Sequence, residues 1–213
     1  MKQRLAIIGS GEMALQVKHY AEIDGRYLVV GFFADYPNSM KEVEGLPIIG
    51  SIADVKEIHA RGMFDCIFIA IGYKHLHFKT ELYNQLSQDI PFATIIASPT
   101  YIDNSSTIGK DVIIYPGCII DKNAIIENNV VLNLGATICH DSKICNGSFI
   151  GARVAISGFC QVGEHCFLGT NSTLIDNVSI CDETKLGAST VVIDNIKESG
   201  LYVGNPSRKI KQL

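Results

Sequence analysis

The sequence predicts two domains of different class, a small α/β domain followed by a parallel β-helix. Three observations carry this. An aliphatic residue recurs every six positions from Ile96 to Val192, strand and helix patterns alternate over residues 1–95, and a glycine turn follows the first strand.

In the first domain, Arg4 to Ile8 reads as a short apolar strand, and Gly9-Ser10-Gly11-Glu12-Met13-Ala14 reads as a tight turn opening a helix. Tyr27 to Phe33 forms a second strand that ends near Asp35. Ile52 to Arg61 reads as a helix, Phe64 to Ile71 as a third strand with Gly72 after it, and His75 to Ser87 as another helix. Strands alternating with helices imply a small, Rossmann-like parallel sheet over residues 1–95. Ile90 to Ala97 then crosses into the repeat.

The repeat occupies residues 96–213 with its tail. All 17 positions of the series that starts Ile96, Ile102, Ile108 and ends Leu186, Val192 are aliphatic. Four places after each comes a small or β-branched residue, from Thr100 and Ser106 through Ser142, Cys160 and Cys166 to Thr190 and Ile196. A period of six fits neither a helix nor a long strand, and requires a short strand and a turn repeated as a unit. Three units make an 18-residue coil, so the aliphatics stack along the axis of a prism and the small residues fill its corners. At ~4.8 Å between stacked strands, about 5.7 coils make a column roughly 27 Å long. The strict aliphatic and small pattern resembles the left-handed kind of β-helix. After Val192 the chain leaves the repeat as a short polar end containing Gly200, Gly204, Pro206, Arg208, Lys209 and Lys211.

Composition narrows the function. With 18 basic and 22 acidic side chains the net charge is −4, which provides no sequence-wide footprint for nucleic acid. No apolar run approaches the ~18 residues of a membrane span, and the N-terminus is too short in its apolar part for an export signal. A cytoplasmic protein is expected. Seven cysteines, an odd number with no Cys-x-x-Cys pair, are expected to be reduced and structural. Cys118, Cys160 and Cys166 occupy the small inward series, and Cys145 and Cys181 lie two coils apart, beyond disulfide reach. Only His140 and His165 of the six histidines lie in the repeat. A three-histidine zinc site is therefore not expected, and no metal is.

Gly9-x-Gly11-x-x-Ala14 has the setting of a nucleotide-binding turn: a strand before it, a helix after it, and Asp35 near the end of the next strand for a ribose hydroxyl. A bare strand-to-helix turn is the alternative. A domain of this size is half a full dinucleotide fold, so a nucleotide sugar fits better than NAD.

Ile7-Ile8-Gly9-Ser10-Gly11, Gly31-Phe32-Phe33-Ala34-Asp35, Ala70-Ile71-Gly72, the stretch from Asn133 to His140-Asp141, Ser157-Gly158 and Tyr202-Val203-Gly204-Asn205-Pro206 together resemble the sugar O- or N-acyltransferase family. This family includes sialic acid O-acetyltransferases and PglD-like amino-sugar N-acetyltransferases. The resemblance implies acetyl-CoA as co-substrate and a nucleotide-linked sugar as acceptor, met by Gly9, Ser10, Gly11, Asp35, Gly72 and Asn133. It implies His140 as general base, Asp141 as its support, and the Gly158 N–H as donor to the thioester oxygen. Transfer is then direct, with no acyl-enzyme, in surface glycan synthesis. A histidine mounted on a turn of a convex prism has no pocket of its own, so a homotrimer whose columns form clefts is expected. The pantetheine arm would pass Gly158, Gly187 and Ala188, and the adenine end would lie near Gly204 and Pro206 with Arg208 and Lys209 on its phosphates. The chain departs from its relatives at Gly11-Glu12-Met13, at Phe149 and at Tyr73-Lys74-His75. The rival readings are a non-catalytic nucleotide-sugar scaffold or sensor and an NAD-dependent oxidoreductase.

Overall fold

A computed structural model describes residues 1–35 and 41–212. The chain divides into two units, residues 1–97 and 98–213. In the first, five strands lie side by side in the order β3-β4-β2-β1-β5: β1 (Gln3–Ile8), β2 (Tyr27–Phe33), β3 (Glu42–Val43), β4 (Leu46–Gly50) and β5 (Cys66–Ile69). All pairings are parallel except β3 with β4. β1 lies between β2 and β5, and its Leu5 to Ile8 run is wholly buried, as an apolar strand covered on both faces must be. Helices α1 (Glu12–Asp24), α2 (Val55–Ala60) and α3 (Leu76–Leu86) flank the sheet. Ile8, Phe33, Val55, Phe64, Ile69, Leu82 and Leu86 meet in its core.

Sequence and structure differ here in three places. The expected helix from Ile52 opens as a 3₁₀ turn, Ile52–Asp54, in which the Asp54 carboxylate accepts from both the N–H and the hydroxyl of Ser51. The third strand is shorter than Phe64 to Ile71, because pairing with β1 ends at Ile69. The β3–β4 hairpin has no counterpart in the sequence reading. Its turn residues, Glu44 and Gly45, both have positive φ, and Pro47 in the short second strand obscures the alternation that would mark it.

The second unit is a left-handed parallel β-helix. Two-residue strands recur every six residues and pair with the strand 18 residues further on, as in Ile119↔Thr137 and Ile120↔Ile138. One face runs from Tyr101–Ile102 to Val191–Val192 and a second from Thr107–Ile108 to Ser179–Ile180. The third carries strands from Ile113–Ile114 to Thr184–Leu186. From Ile114 to Val192 every aliphatic of the series is at most 2% exposed, and the small series from Val112 to Thr190 is likewise buried. Each stacked aliphatic contributes about 1.5–3 kcal/mol by leaving water. The small series also satisfies backbone groups: Ser142 Oγ donates to Ser157 O at 2.8 Å and accepts the Cys160 N–H at 3.0 Å.

From Asp111 to Ser189 each corner turns on a residue with positive φ three places after the aliphatic, among them Gly117, Asn123, Asp141 and Asn177. Asn, Asp and Gly adopt this left-handed conformation with least strain. Side chains two places after the aliphatic cap the coil below, where Asn128 Oδ1 accepts the Lys110 N–H and Asp182 Oδ1 the Glu164 N–H, each at 2.8 Å.

The tail is more ordered than a polar end. Gly200–Val203 continues the third face as a parallel strand, and Arg208–Lys211 returns antiparallel to it. The last coil is two residues short, with Leu186↔Tyr202 and Ile180↔Ile196 in register, which breaks the period that the sequence displays. The cysteines are free, and burial pushes the Cys66 and Cys166 thiols up to about 12 and Cys118 to about 11.

Candidate active site

In the first unit, the residues expected to meet a nucleotide collect at the carboxyl ends of β1, β2 and β5. Gly9 has φ 106°, donates its N–H to Phe33 O at 2.8 Å, and would set a Cβ 2.8 Å from Ala70 O. Only glycine fits there. Among the described residues, Ser10 Oγ is buried without a hydrogen-bond partner. Gly11 begins α1 with no side-chain cap, so first-turn N–H groups remain for an anion. Around Gly11 and Gly72 an added Cβ would meet open space. Asp35 spends one oxygen on the Ile52 N–H at 2.9 Å. It borders a cavity of about 550 Å³ whose walls include Lys56, Phe78, Leu82 and Gln85. Glu12 is exposed in the first turn of the helix.

In the second unit, His140, Asp141 and Gly158 share the corner between the first two faces. Strand Thr137–Ile138 delivers His140 two residues on, where the chain turns outward. His140 Nδ1 lies 3.0 Å from Asp141 Oδ2, and Asp141 Oδ1 accepts from Asn123 Nδ2 at 2.9 Å. The Asn123 hydrogen bond first, and then the one to His140, hold the Asp141 carboxyl below its ordinary range. Gly158 lies one coil beyond His140: a Cβ there would stand 2.7 Å from His140 Cε1 and 2.8 Å from Nε2. Among the described residues, Nε2 is the ring nitrogen left without a hydrogen-bond partner. The Phe159 ring meets the imidazole edge-on, with centroids 5.1 Å apart at 86°.

The Gly158 N–H donates to Asp176 Oδ1 at 3.0 Å, as part of the cap ladder that runs along the turns. Asn133, Gly187 and Ala188 sit on another corner, after the third face. The Asn133 side chain closes its own turn on the Leu134 N–H at 2.7 Å. One column thus does not bring these three to His140. His165 lies on a third corner. Pro206 and Arg208 line a cavity of about 390 Å³ with Ile193, Asp194, Glu198 and Tyr202. Lys209 instead pairs with Glu198 at 3.1 Å. Among the described residues no group of three or more His, Cys, Asp or Glu is placed to hold a metal, and no helix is long and apolar enough to cross a membrane.

Asn123, Phe159 and Asp176 are not singled out by the sequence reading. Coil arithmetic finds two of them, since Asn123 lies 18 residues before Asp141 and Asp176 lies 18 after Gly158.

A βα domain joined to a hexapeptide β-helix that carries a His-Asp pair at a turn defines the class of sugar acyltransferases. Residues 4–86 match the PglD N-terminal domain, and residues 91–200 match the GMPPB C-terminal domain, to whose family the repeat belongs. The chain is thus a sugar acyltransferase that belongs to the GMPPB C-terminal domain family through its repeat and carries a PglD-like first unit. No curated protein matches it in sequence. It is similar in structure to the acetyltransferase domain of PglB from Neisseria gonorrhoeae, at 21% identity and TM-score 0.89, over 98% of this chain and 100% of that one. It is similar also to PerB from Caulobacter crescentus, solved with CoA and GDP-perosamine, at 25% identity and TM-score 0.88, over 97% and 96% of the two chains. WeeI from Acinetobacter baumannii matches at 18% identity and TM-score 0.82, over 97% and 99%.

Proposed function

We propose that this chain transfers an acetyl group from acetyl-CoA to an amine of a nucleotide-linked sugar, with His140 as general base. The observation that carries this reading is the chain of contacts Asn123–Asp141–His140, which leaves Nε2 over Gly158. Asp141 accepts from Nδ1 and so fixes the tautomer in which Nε2 is the acceptor. As the amine attacks the thioester carbonyl, Nε2 takes its proton. Collapse of the tetrahedral intermediate then expels the CoA thiolate, which recovers that proton from the imidazolium. The Gly158 N–H serves the developing oxyanion once Asp176 turns aside.

The nucleotide lies at the ends of β1, β2 and β5, against Gly9, Ser10, Gly11, Asp35 and Gly72. The orphaned Ser10 Oγ and the uncapped helix end support that position. The protein works as a homotrimer in this reading. Asn133, Gly187 and Ala188 occupy a different corner from His140, so a neighbouring column is what brings them to one acceptor and one pantetheine arm. Pro206, Gly204 and Arg208 then meet the adenine end. The similarity to PerB, solved with CoA and GDP-perosamine, favours an amine over a hydroxyl. The setting is cytoplasmic assembly of surface polysaccharide.

The test is thiol release from acetyl-CoA with a panel of nucleotide-linked amino sugars and their hydroxyl counterparts, alongside the mass in solution by light scattering. The reading expects release with at least one amino sugar and a trimer. No release with any acceptor, or full activity as a monomer, contradicts it.

A further inference from the structure

Asp176 holds the hydrogen-bond donor that a thioester would need. Its Oδ1 accepts the Gly158 N–H at 3.0 Å, and a single N–H cannot serve this carboxylate and an oxyanion together. The corner after the second face shows that such a cap does not require a charge. There Asn128 caps the Lys110 N–H at 2.8 Å and Asn146 the Asn128 N–H at 3.1 Å, as Asp182 caps the Glu164 N–H at 2.8 Å. On the corner of His140 the ladder is interrupted. The Lys122 N–H is closed by its own neighbour Asp121 at 2.8 Å, and His140 has its ring over Gly158 instead. Gly158 is thus met by the imidazole from the coil below and by the Asp176 carboxylate from the coil above. Asp176 is exposed, and among the described residues its second oxygen has no hydrogen-bond partner. Its charge reaches the reacting side of the corner: burial first, then Asp121 and Asp176, push up the thiol of Cys139, the residue before His140.

We propose that Asp176 is a gate on the oxyanion donor, closed on the Gly158 N–H while the acceptor is absent and drawn off it by the ammonium group of an arriving substrate. This rests on the transferase reading above and deepens it. The need for a gate follows from His140. A base that takes a proton from an amine can take one from water as well, and water adding to the thioester carbonyl yields acetate and free CoA. While the carboxylate holds the N–H, the oxygen of a bound thioester lacks its donor and faces a negative charge, so attack by water is slow. A sugar amine arrives protonated at neutral pH. It carries a full charge where the N–H carries a partial one, so the carboxylate favours it. Its departure frees the Gly158 N–H for the thioester oxygen. The ammonium gives one proton to solvent to become the nucleophile, and the second passes to Nε2 as the C–N bond forms and on to the departing thiolate as the C–S bond breaks.

The experiment follows thiol release from acetyl-CoA with and without a nucleotide-linked amino sugar that the wild type acetylates, in wild type, Asp176→Ala and Asp176→Asn, with Tm and solution mass alongside. The wild type should release thiol only when the sugar is present. Asp176→Ala leaves the N–H open, so release without sugar should rise about 10-fold or more, within what one oxyanion donor contributes, and the KM for acetyl-CoA should fall. Asp176→Asn keeps the cap, as Asn128 does, but offers no charge for the ammonium to draw. Its release without sugar should stay at the wild-type level while kcat with sugar falls about 10-fold. Unchanged sugar-free release in a folded Asp176→Ala protein overturns the proposal, and so does wild-type kcat in Asp176→Asn, because a plain turn cap predicts both. Equal release by the wild type with and without sugar overturns it as well. If Asp176→Ala does not fold, the Asp176→Asn result decides alone. If no acceptor supports thiol release by the wild type, the transferase reading itself fails.

Discussion

The imidazole of His140 occupies the space a side chain at Gly158 would need, since a Cβ there would stand 2.8 Å from Nε2. Glycine at 158 is therefore a condition for the ring's position. Gly158→Ala should push the ring off its place while the stacked core, which neither residue enters, stays intact. We expect kcat to fall about 100-fold with Tm nearly unchanged. Near-normal kcat in a folded Gly158→Ala variant would mean the ring's place over 158 is not used.

Asp141 is held ionised below its ordinary range, first by Asn123 and then by His140. Because the folded value is depressed, its charge persists to lower pH than that of an ordinary aspartate. Asn123→Ala removes the first cause, so protonation of Asp141 begins at higher pH. The variant's loss of activity should be larger at about pH 5 than at about pH 7. An equal loss at both would mean Asn123 acts on geometry alone.

The two cations of the tail differ in their surroundings. Arg208 lines the cavity beside Pro206, whereas Lys209 is paired with Glu198. Arg208→Ala should raise the KM for acetyl-CoA and leave that for the sugar unchanged. Lys209→Ala should affect the KM for acetyl-CoA less. The reverse order would place Lys209, and not Arg208, on the phosphates.

The thiols of Cys66, Cys118 and Cys166 are buried and stay protonated at neutral pH. An alkylating reagent at about pH 8 should leave these three unmodified in the native protein and reach every cysteine in denaturant. Rapid native labelling of Cys166 would contradict the column's packing.

How much of this was legible in the sequence follows from which physical constraint repeats. The stacked aliphatics from Ile96 to Val192 announce the column because each fills the same place in successive coils. The turn series is equally periodic, with Asn123, Asp141 and Asn177 on one corner, and it is the signal that exposes Phe159 as out of place. His140, Asp141 and Gly158 were readable as a group through their family resemblance. Asn123 and Asp176 needed the 18-residue coil to be used as a contact rule. The returning strand Arg208–Lys211 was hidden because the last coil loses two residues, and β4 because Pro47 and a two-residue partner give no alternation.

The central claim is that His140 takes the proton from the acceptor, and it is tested most directly by the kcat of His140→Ala with an acceptor that the wild type acetylates. The side chain is half-exposed and lies outside the stacked core, so the variant should fold and assemble as the wild type does. The account predicts a fall in kcat of about 10²- to 10⁴-fold, the usual contribution of a positioned general base. A folded His140→Ala protein that keeps near-normal kcat would contradict it.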